Sequence, residues 1–348
     1  MKKVKVGILG ATGMVGQRFV DLLQNHPWFE ITELAASEKS ANKSYEETMK
    51  GRWMASAQIP QKAKDVKVKE CRPDLDCKIV FSALDSLVAG PIEENFARNG
   101  YIVSSNSKNH RMDIDVPLLI PEVNPEHLAI VKKQQKRFKG FIVTNPNCSA
   151  IGLAVALKPL QDAFGLERVF ITTMQALSGA GYPGVASLDI LDNVVPYISG
   201  EEEKIETETL KLLGKISNGK ISFADFKISA QCNRVSVKDG HLESVNIGLA
   251  KKADLEQIKS TFRSFNPLKK MGLPSAPNPP IILREEIDRP QPKYDRDAGN
   301  GMAVTVGRLR KCNVIDYKFL VLSHNTIRGA AGAAILNAEL MKVKGLMG

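Results

Sequence analysis

The chain has 348 residues, of which 43% are hydrophobic and 25% charged, the composition of a globular protein with room for two domains. No apolar run approaches the roughly 18 residues that cross a bilayer, and the first residues, MKKVKVGILG, have the pattern of a strand rather than of a signal peptide, so we expect a cytoplasmic protein without a membrane partner. The formal net charge is +10, but the basic residues are dispersed and no known nucleic-acid-binding motif occurs. We therefore expect no nucleic-acid partner either.

Residues 1–147 alternate short apolar runs with amphipathic stretches. The runs KVGIL, FEITELAA, KIVFSAL, YIVSSN and GFIVTN predict strands, and stretches such as MVGQRFVDLLQNH and IEENFARNG predict helices between them. This βαβ rhythm indicates a doubly wound parallel sheet of the Rossmann type. We therefore predict a dinucleotide-binding domain over residues 1–147.

A glycine-rich turn, GATGMVG, follows the first predicted strand and opens a predicted helix. Gly10, Gly13 and Gly16 are spaced three apart. Glycine lets the backbone turn tightly and approach a pyrophosphate, and the N–H groups of a helix start favour an anion. The alternative is a tight turn without a ligand, but the position between strand and helix favours a phosphate loop.

The loop after the second predicted strand favours NADP over NAD. Domains that bind NAD place an acidic residue at this strand end, where it bonds the ribose hydroxyl. Here Ser37, Lys39, Ser40 and Lys43 form a basic loop rich in hydroxyls, which suits a 2′-phosphate. Glu38 is the feature of this loop that argues for NAD.

The stretch TNPNCSAIG places Cys148 between a predicted strand and a predicted helix. Such a cysteine can be a packed apolar side chain, a metal ligand, a redox thiol or a nucleophile. The five cysteines are scattered, without a CxxC pair or a Cys/His cluster, so we predict neither disulfide nor metal site. A strand end gathers ligands and a helix N-terminus lowers the pKa of a thiol, which favours a reactive Cys148. His241, in NRVSVKDGHLE, is the candidate base.

After Cys148 the pattern changes to longer alternating runs with few helices between them. VFITTMQALS, ISFADFKISAQCNRV, HLESVNIGLA, GMAVTVGRLR and DYKFLVLSH predict a largely antiparallel sheet in an α+β domain over residues 148–327. The proline-rich stretch from Leu273 is expected to be an ordered excursion or an oligomer contact. The segment TIRGAAGAAILNAELMKV predicts a helix, and we expect the C-terminal helix, residues 328–348, to pack back on the first domain.

Seven motifs in register resemble the aspartate-β-semialdehyde dehydrogenase family in its archaeal and fungal form: GILGATGMVGQRF, TNPNCSA, QALSGAGYPG, SGEEEK, NRVSVKDGH, RPQPKYDRDAGNGMAVTVGRLR and HNTIRGAAGAA. The resemblance implies reversible reduction of L-4-aspartyl phosphate to L-aspartate 4-semialdehyde with NADPH, on the route to lysine, threonine and methionine. In the oxidative direction it implies that the Cys148 thiolate adds to the aldehyde, hydride leaves for the nicotinamide, and phosphate attacks the resulting thioester.

The resemblance also implies roles for individual residues. His241 is the acid/base that handles the thiol and hemithioacetal protons, and Gln175 orients the reacting group. Arg234 offers a planar fork to the substrate carboxylate. The cofactor contacts that it implies are Gly10, Thr12, Gly13, Met14, Val15, Gly16, Ser37, Ser40, Ser178, Gly181 and Asn325.

The remaining substrate contacts implied by the family are charged. Glu201 pairs with the substrate amino group, although Glu202 and Glu203 adjoin it and a shift of register would exchange them. Lys204 and Arg111 fit the phosphate. The resemblance further implies a homodimer or a homotetramer.

Three alternatives stay open on the sequence. Malonyl-CoA reductase has a similar fold and the same thiol and NADPH chemistry, with a CoA thioester as substrate. N-acetyl-glutamyl-phosphate reductase is disfavoured, because we expect a tyrosine after its cysteine and Ser149 follows here. A regulatory dinucleotide-binding protein without turnover is disfavoured by the complete set of cysteine, histidine, glutamine and arginine.

Overall fold

The computed structural model describes residues 2–347, and the chain forms two compact units. The first unit comprises Met1–Leu119, Glu126–Asn145 and Ala330–Gly348, and the second comprises Ile120–Pro125 and Pro146–Gly329. The predicted bounds, 1–147 and 148–327, therefore differ from these units by two residues at each junction and by the segment 120–125. That segment joins the second unit because it contains Glu122, whose buried carboxylate accepts two hydrogen bonds from Arg328, at 2.8 and 2.9 Å.

The first unit contains a parallel sheet with the strand order β3-β2-β1-β4-β5-β6. Every pairing in this sheet is parallel, which confirms the predicted Rossmann-type sheet. The strand β3 was not predicted, because three residues are too short to show a periodicity. The elements of the first unit up to β6 are, in chain order, β1 (Val4–Leu9), α1 (Met14–Leu23), β2 (Phe29–Ala36), α2 (Tyr45–Met49), α3 (Gln61–Lys64), β3 (Val68–Glu70), β4 (Ile79–Ser82), α4 (Ser86–Arg98), β5 (Ile102–Ser105), α5 (Val131–Gln134) and β6 (Phe141–Thr144).

The central strands of this sheet are buried on both faces. Every residue of β4, β5 and β6 is buried, as is typical of parallel strands covered by helices. The strand order reverses between β1 and β4. Doubly wound sheets bind ligands beyond the carboxyl ends of the strands at such a switch point, and the glycine-rich turn follows β1 directly.

The second unit is built around a mixed sheet with the strand order β10-β7-β11-β14-β13-β12. Three of its five pairings are antiparallel, so the predicted α+β domain with a largely antiparallel sheet is confirmed. Its elements are α6 (Cys148–Phe164), β7 (Leu166–Gln175), α7 (Ser187–Ile190), α8 (Glu201–Leu212), β8 (Lys215–Ser217), β9 (Lys220–Ser222), β10 (Lys227–Arg234), β11 (His241–Leu249), α9 (Leu255–Ser264), β12 (Ile281–Leu283), α10 (Pro292–Asp295), β13 (Val304–Lys311) and β14 (Tyr317–Ser323).

The helix α6 packs closely on the sheet of this unit. A Cβ added to Gly152 would lie 2.6 Å from Oγ of Ser323 on β14, so only glycine allows this approach. The proline-rich stretch is ordered, because its strand β12 pairs in parallel with β13 at the sheet edge. In the part of the chain that the structure describes, no helix is long and apolar enough to cross a membrane.

The last helix, α11 (Gly332–Val343), belongs to the first unit. A π-helical turn, Ile327–Ala331, precedes it, so the regular α-helix begins later than the predicted segment. Ser104 Oγ on β5 donates to the carbonyl of Ala334 at 3.3 Å. Nδ1 of His26 accepts from two backbone N–H groups, and its Nε2 lies 2.8 Å from a carboxylate oxygen of Glu339. These contacts hold α11 against residues of the first unit.

A buried carboxyl group lies on β11, two residues after its first residue. Glu243 is 1% exposed, and neither side-chain oxygen has a hydrogen-bond partner among residues 2–347. Burial raises the pKa of Glu243 well above its usual range, because a charge in an apolar interior is costly. The folded protein therefore holds a proton here that the unfolded chain releases above about pH 4.3.

We expect Glu243→Gln to change how stability depends on pH. Since the folded state binds the extra proton, the contribution of the glutamate is complete below about pH 4.3 and is lost as pH rises toward its folded pKa, with a slope of up to about 1.4 kcal/mol per pH unit. The difference in thermal midpoint should thus move in favour of the glutamine variant as pH increases. A difference that stays constant with pH would contradict a neutral Glu243.

Candidate active site

The glycine-rich turn of the first unit has the geometry of a phosphate loop. Gly10 has φ +74°, and a Cβ there would lie 2.6 Å from the carbonyl oxygen of Ala83. A Cβ on Gly16 would lie 2.2 Å from the carbonyl of Gly10, so both positions require glycine. Gly13 is the N-cap of α1 and provides no side-chain cap. The N–H groups of the first helical turn, which begins at Met14, thus have no acceptor within the helix and suit an anion.

A cavity of about 600 Å³ lies beside this turn in the first unit. Its lining includes Ser37, Lys39 and Arg72 together with the carboxylates of Glu38 and Glu70, so a hydroxyl, two cations and two anions line it. Arg72 lies 2.7 Å from a carboxylate oxygen of Glu70. Arg72 was missed by the sequence analysis, which looked for the 2′-phosphate site only after the second strand; the residues after β3 reach the same cavity. Ser40 is buried and does not line the cavity, because the turn Glu38–Ser40 points it inward.

Cys148 is the first residue of α6 in the second unit, as its sequence context predicted. The helix is capped by Asn147, whose side-chain oxygen accepts from the N–H groups of Ser149 and Ala150 at 2.9 and 3.2 Å. A Cβ on Gly329 would lie 2.8 Å from the Cβ of Cys148, so the backbone packs tightly behind the thiol. The thiol is partly exposed, and its position at a helix N-terminus favours the thiolate.

His241 is the first residue of β11 and contacts the thiol. Its Nε2 lies 3.2 Å from Sγ of Cys148, while its Nδ1 accepts a hydrogen bond from the backbone N–H of Ala176 at 3.0 Å. The ring is fully buried. Burial, with a smaller effect of the neighbouring Arg234 charge, lowers the pKa of His241 to about 3. The imidazole is therefore neutral near neutral pH.

Arg234, the last residue of β10, lies beside the histidine. Its Nη1 donates to the carbonyl oxygen of Ala176 at 2.7 Å. A Cβ on Gly179 would lie 2.8 Å from Nη1 of Arg234 and 3.1 Å from Cε1 of His241, so Gly179 leaves open the space between these two side chains. Both polar backbone groups of Ala176 are thus used, one for each side chain.

Of the three consecutive glutamates at the start of α8, only Glu201 reaches the residue before the thiol. Its Oε1 accepts from Nδ2 of Asn147 at 2.8 Å and from Nζ of Lys204 at 3.1 Å. Burial raises the pKa of Glu201, but Lys204 and Asn147 more than offset this, so the pKa lies below its usual range. Glu202 instead accepts from a backbone N–H of β10, and Glu203 is exposed.

A second carboxylate of α8 was missed by the sequence analysis. Glu208, two helical turns after Glu201, is 2% exposed and accepts from the backbone N–H of Asn147 at 2.6 Å. The spacing of seven residues places both carboxylates on one face of the helix. The spacing of the two glutamates is visible in the sequence, but no sequence pattern shows that this face of the helix meets the turn before Cys148.

Glu208→Leu should lower kcat without weakening the binding of the cofactor, because it leaves a buried N–H beside the thiol without an acceptor. Such a loss costs about 1–3 kcal/mol, or roughly 5- to 150-fold if expressed in the transition state. Glu208→Gln keeps an acceptor oxygen and should stay within a few-fold of wild type. The matched control is Glu203→Leu, an exposed glutamate of the same helix; equal losses in both leucine variants would contradict a positioning role of Glu208.

The other predicted site residues of the second unit are Asn325, Ser178, Gly181 and Gln175. Asn325 accepts from the N–H of Gly240 and donates to Oγ of Ser178, both at 2.8 Å. Gly181 has φ +74°, which favours glycine. Nε2 of Gln175 donates to Thr173 at 3.4 Å, and its Oε1 has no partner within the described residues.

Arg111 belongs to the first unit, where its Nη2 donates to the carbonyl of Asn106 at 2.8 Å. Thr12 and Val15 flank the start of α1 in the same unit. Within residues 2–347, no group of three or more histidine, cysteine, aspartate or glutamate side chains could hold a metal ion.

Comparison with known families defines the class of protein. A model described as semialdehyde dehydrogenase, NAD binding domain, matches residues 5–131, and one described as semialdehyde dehydrogenase, dimerisation domain, matches residues 157–328. Fold and site thus define a two-domain semialdehyde dehydrogenase.

Aspartate-semialdehyde dehydrogenase from Archaeoglobus fulgidus is 54% identical over 97% of this chain and 98% of its own length, and that from Methanothermobacter thermautotrophicus is 52% identical over 97% and 99%. The crystal structure of aspartate semialdehyde dehydrogenase with NADP from Candida albicans has a TM-score of 0.92 at 45% identity, covering 99% of this chain and 100% of that one. The chain belongs to the aspartate-semialdehyde dehydrogenase family, and the resemblance of its motifs to that family is confirmed.

Proposed function

We propose that this protein catalyses the NADPH-dependent reductive dephosphorylation of L-4-aspartyl phosphate to L-aspartate 4-semialdehyde through a thioester on Cys148. The observation that carries the proposal is the thiol at the N-terminus of α6 with Nε2 of a buried histidine 3.2 Å away. Family membership supplies the substrate class. The product is a precursor in amino-acid biosynthesis, toward lysine, threonine and methionine, and the cytoplasmic location stays a prediction.

Cys148 is the nucleophile in this proposal. Its sulfur attacks the acyl carbon, the C–O bond to phosphate breaks, and the acyl group is held as a thioester. A thiol serves both as nucleophile and as leaving group when the aldehyde departs. The dipole of α6 stabilises the thiolate at the N-terminus of the helix.

The charged side chains around the thiol match the groups of an amino-acid phosphate. We assign the substrate carboxylate to Arg234, whose planar guanidinium can bind it with two hydrogen bonds, and the amino group to Glu201. Lys204 and Arg111 bind the phosphate. Gln175 directs the unpartnered Oε1 of its amide toward the reacting group.

The first unit fits NADP. Gly10 and Gly16 close the turn so tightly that neither admits a side chain, and the start of α1, which has no side-chain cap, leaves N–H groups for the pyrophosphate. The cavity beside the turn offers Ser37, Lys39 and Arg72 to a 2′-phosphate. When bound, NADPH supplies the hydride of the reduction. We assign the contacts of the nicotinamide half to Ser178, Gly181 and Asn325, while Thr12, Met14 and Val15 surround the pyrophosphate. A relative of 45% identity was crystallised with NADP, which supports this choice of cofactor.

Arg72→Ala should weaken the selectivity for NADPH. A charge-assisted hydrogen bond is worth about 1.5–3 kcal/mol, so the KM for NADPH should rise roughly 10- to 100-fold while that for NADH stays unchanged. The matched control is Arg98→Ala, another exposed arginine paired with a glutamate but outside the cavity. Equal effects of Arg72→Ala on both cofactors would show that this arginine does not contact the 2′-phosphate.

We also propose that the protein is a homodimer or a homotetramer, as a match to a dimerisation domain suggests. Large apolar side chains are exposed on the segment after α7, among them Leu191 and Tyr197, at 59% and 65%. Val195 of this segment forms an isolated antiparallel β-bridge with Arg234 on the edge strand β10. The molar mass from light scattering tests the oligomer, and a monomer at micromolar concentration would contradict it.

A steady-state assay tests the proposed reaction. Purified protein should form NADPH from NADP and L-aspartate 4-semialdehyde only when phosphate is present, because phosphate releases the acyl group from the thioester. The same preparation should not oxidise NADPH with malonyl-CoA. Turnover with malonyl-CoA alone would replace the proposed substrate with a CoA thioester.

A further inference from the structure

The segment that carries Arg111 is fastened to the end of a strand in the first unit. This segment, residues 106–111, follows β5 directly, and the N–H of Ser107 donates to Oγ of Ser105 at 3.0 Å. Nη2 of Arg111 donates to the carbonyl of Asn106 at 2.8 Å, which closes the segment on itself. The position of the guanidinium therefore depends on how residues 106–111 are held.

The other end of the segment contacts the helix α4. A Cβ on Gly90 of this helix would lie 3.1 Å from Nδ2 of Asn109, so the segment packs closely on the helix. Nε2 of His110 lies 3.4 Å from the carbonyl oxygen of Gly90, and its Nδ1 lies 2.8 Å from Oδ2 of Asp113. His110 is buried, at 7% exposed. The ring therefore connects α4 with the chain on the far side of Arg111.

Both ring nitrogens of His110 face oxygen atoms that accept hydrogen bonds. A backbone carbonyl cannot donate a hydrogen bond, and neither can an ionised carboxylate such as that of the exposed Asp113. Either neutral tautomer would turn a lone pair of the ring toward one of these oxygens. Both contacts are hydrogen bonds only when both nitrogens carry a hydrogen, so the geometry favours the imidazolium.

The charged groups that face the ring also favour its positive charge. They are Asp113 and, on α4, Glu93, whose Oε2 lies 3.9 Å from Nε2. Glu93 is fully buried, and its Oε1 accepts from the hydroxyls of Ser82 and Ser105 at 2.6 and 2.7 Å. Burial raises the pKa of Glu93, which the hydroxyls and the neighbouring cations only partly offset. Burial lowers the pKa of His110, but Asp113 and Glu93 more than offset this, so that pKa lies above its usual range.

We propose that His110, as an imidazolium held between Asp113 and α4, is a positioning residue for Arg111, and that loss of its proton weakens the phosphate site. The inference rests on the proposed function, in which Arg111 binds the phosphate. A neutral ring would leave a buried lone pair against an oxygen, which is costly, and the segment relieves this contact by moving. The guanidinium moves with it, because Arg111 is the next residue.

Steady-state kinetics of the intact enzyme in the oxidative direction test the proposal. We expect His110→Gln to raise the KM for phosphate about tenfold at about pH 6.5, with little change in kcat or in the KM for NADP. Since glutamine does not titrate, the ratio of this KM to that of wild type should fall toward one as the pH approaches about 9. The ratio cancels the ionisation of phosphate itself. A ratio that is constant with pH, or a loss in kcat alone, would overturn the proposal.

Asp113→Asn distinguishes an effect of the charge from a structural one. The amide keeps an acceptor oxygen but removes the carboxylate, so the rise in the KM for phosphate should begin at a lower pH than in wild type. The matched control is Asp115→Asn, two residues further on, whose carboxylate pairs with Arg137 at 2.7 Å. It should follow the wild-type profile. Identical profiles of the two asparagine variants would contradict the role of the imidazolium.

Two measurements without turnover separate this inference from the proposed function. Nitrogen NMR with ¹⁵N-labelled histidine should show an imidazolium at about pH 7 whose signals are missing from His110→Gln; a neutral ring would overturn the inference. Broadening of the ³¹P signal of inorganic phosphate should show weaker binding to His110→Gln than to wild type, each with NADP bound, and equal binding would overturn the inference. If wild type binds phosphate in this way but does not turn over L-aspartate 4-semialdehyde, the proposed function fails and the inference stands.

Discussion

Replacing Cys148 with alanine should lower kcat by at least about 10³-fold. Without the nucleophile, only substrate binding and electrostatic stabilisation still contribute to catalysis. Cys148→Ser should be nearly as inactive, since an alkoxide is hard to generate near neutral pH. Binding of NADPH should be unchanged, because its proposed phosphate contacts lie in the first unit. The measurements are steady-state turnover and cofactor fluorescence titration. An alanine variant that retains a tenth of wild-type turnover would refute the nucleophile assignment.

Alkylation of the thiols provides the control for this prediction. Burial raises the pKa of Cys77 and of Cys232 to about 12, so both should react slowly. Cys312 is a competitor, because the backbone N–H groups of Ile315 and Val314 lower its pKa. In Cys312→Ser protein, a peptide map should therefore show iodoacetamide on Cys148 first. Faster labelling of Cys77 or Cys232 would contradict the predicted reactivity.

Arg234→Lys should lower kcat/KM for the substrate by about 10²-fold, although it retains the positive charge. The guanidinium donates to Ala176 and still has a second face for a carboxylate, whereas an ammonium cannot make both contacts in one plane. Loss of alignment of the acyl carbon against the thiol then appears in kcat as well as in KM. Binding of NADPH and the alkylation rate of Cys148 should be unchanged.

The matched control for this variant is Arg168→Lys on the neighbouring strand β7, where the arginine is exposed. It should behave as wild type. If Arg234→Lys also has wild-type kinetics, this arginine does not hold the substrate, and a substrate without an amino-acid carboxylate, such as malonyl-CoA, becomes the better candidate.

Local patterns were sufficient for the fold class. The runs that became β4, β5 and β6 are mostly apolar because parallel strands are buried on both faces. The alternation along β11 reflects a sheet with one buried face. Short elements were missed because no local pattern marks them. The strand β3 is too short to carry a period, and β12 was hidden in a proline-rich stretch whose pairing with β13 depends on residues more than twenty positions away.

The same distinction between local patterns and long-range contacts applies to the candidate site. Cys148 could be singled out because its helix start and strand end are adjacent in sequence, and those local features determine where a thiol becomes reactive. Contacts between distant segments could not be derived in this way. Arg72 reaches the cavity beside Ser37 from another strand, and Glu208 bonds a backbone N–H that lies 61 residues away.

The sequence by itself determined the parallel dinucleotide-binding sheet, the glycine turn, the helix that begins at Cys148 and the family of the chain, because each depends on neighbouring residues or on motifs in order. Only the tertiary structure decided which of three adjacent glutamates meets Asn147 and which histidine nitrogen faces the thiol. The N–H of Ala176, 65 residues earlier, donates to Nδ1 of His241. Every residue but proline has such an N–H, so no sequence pattern marks this one; only the folded chain brings it to the ring.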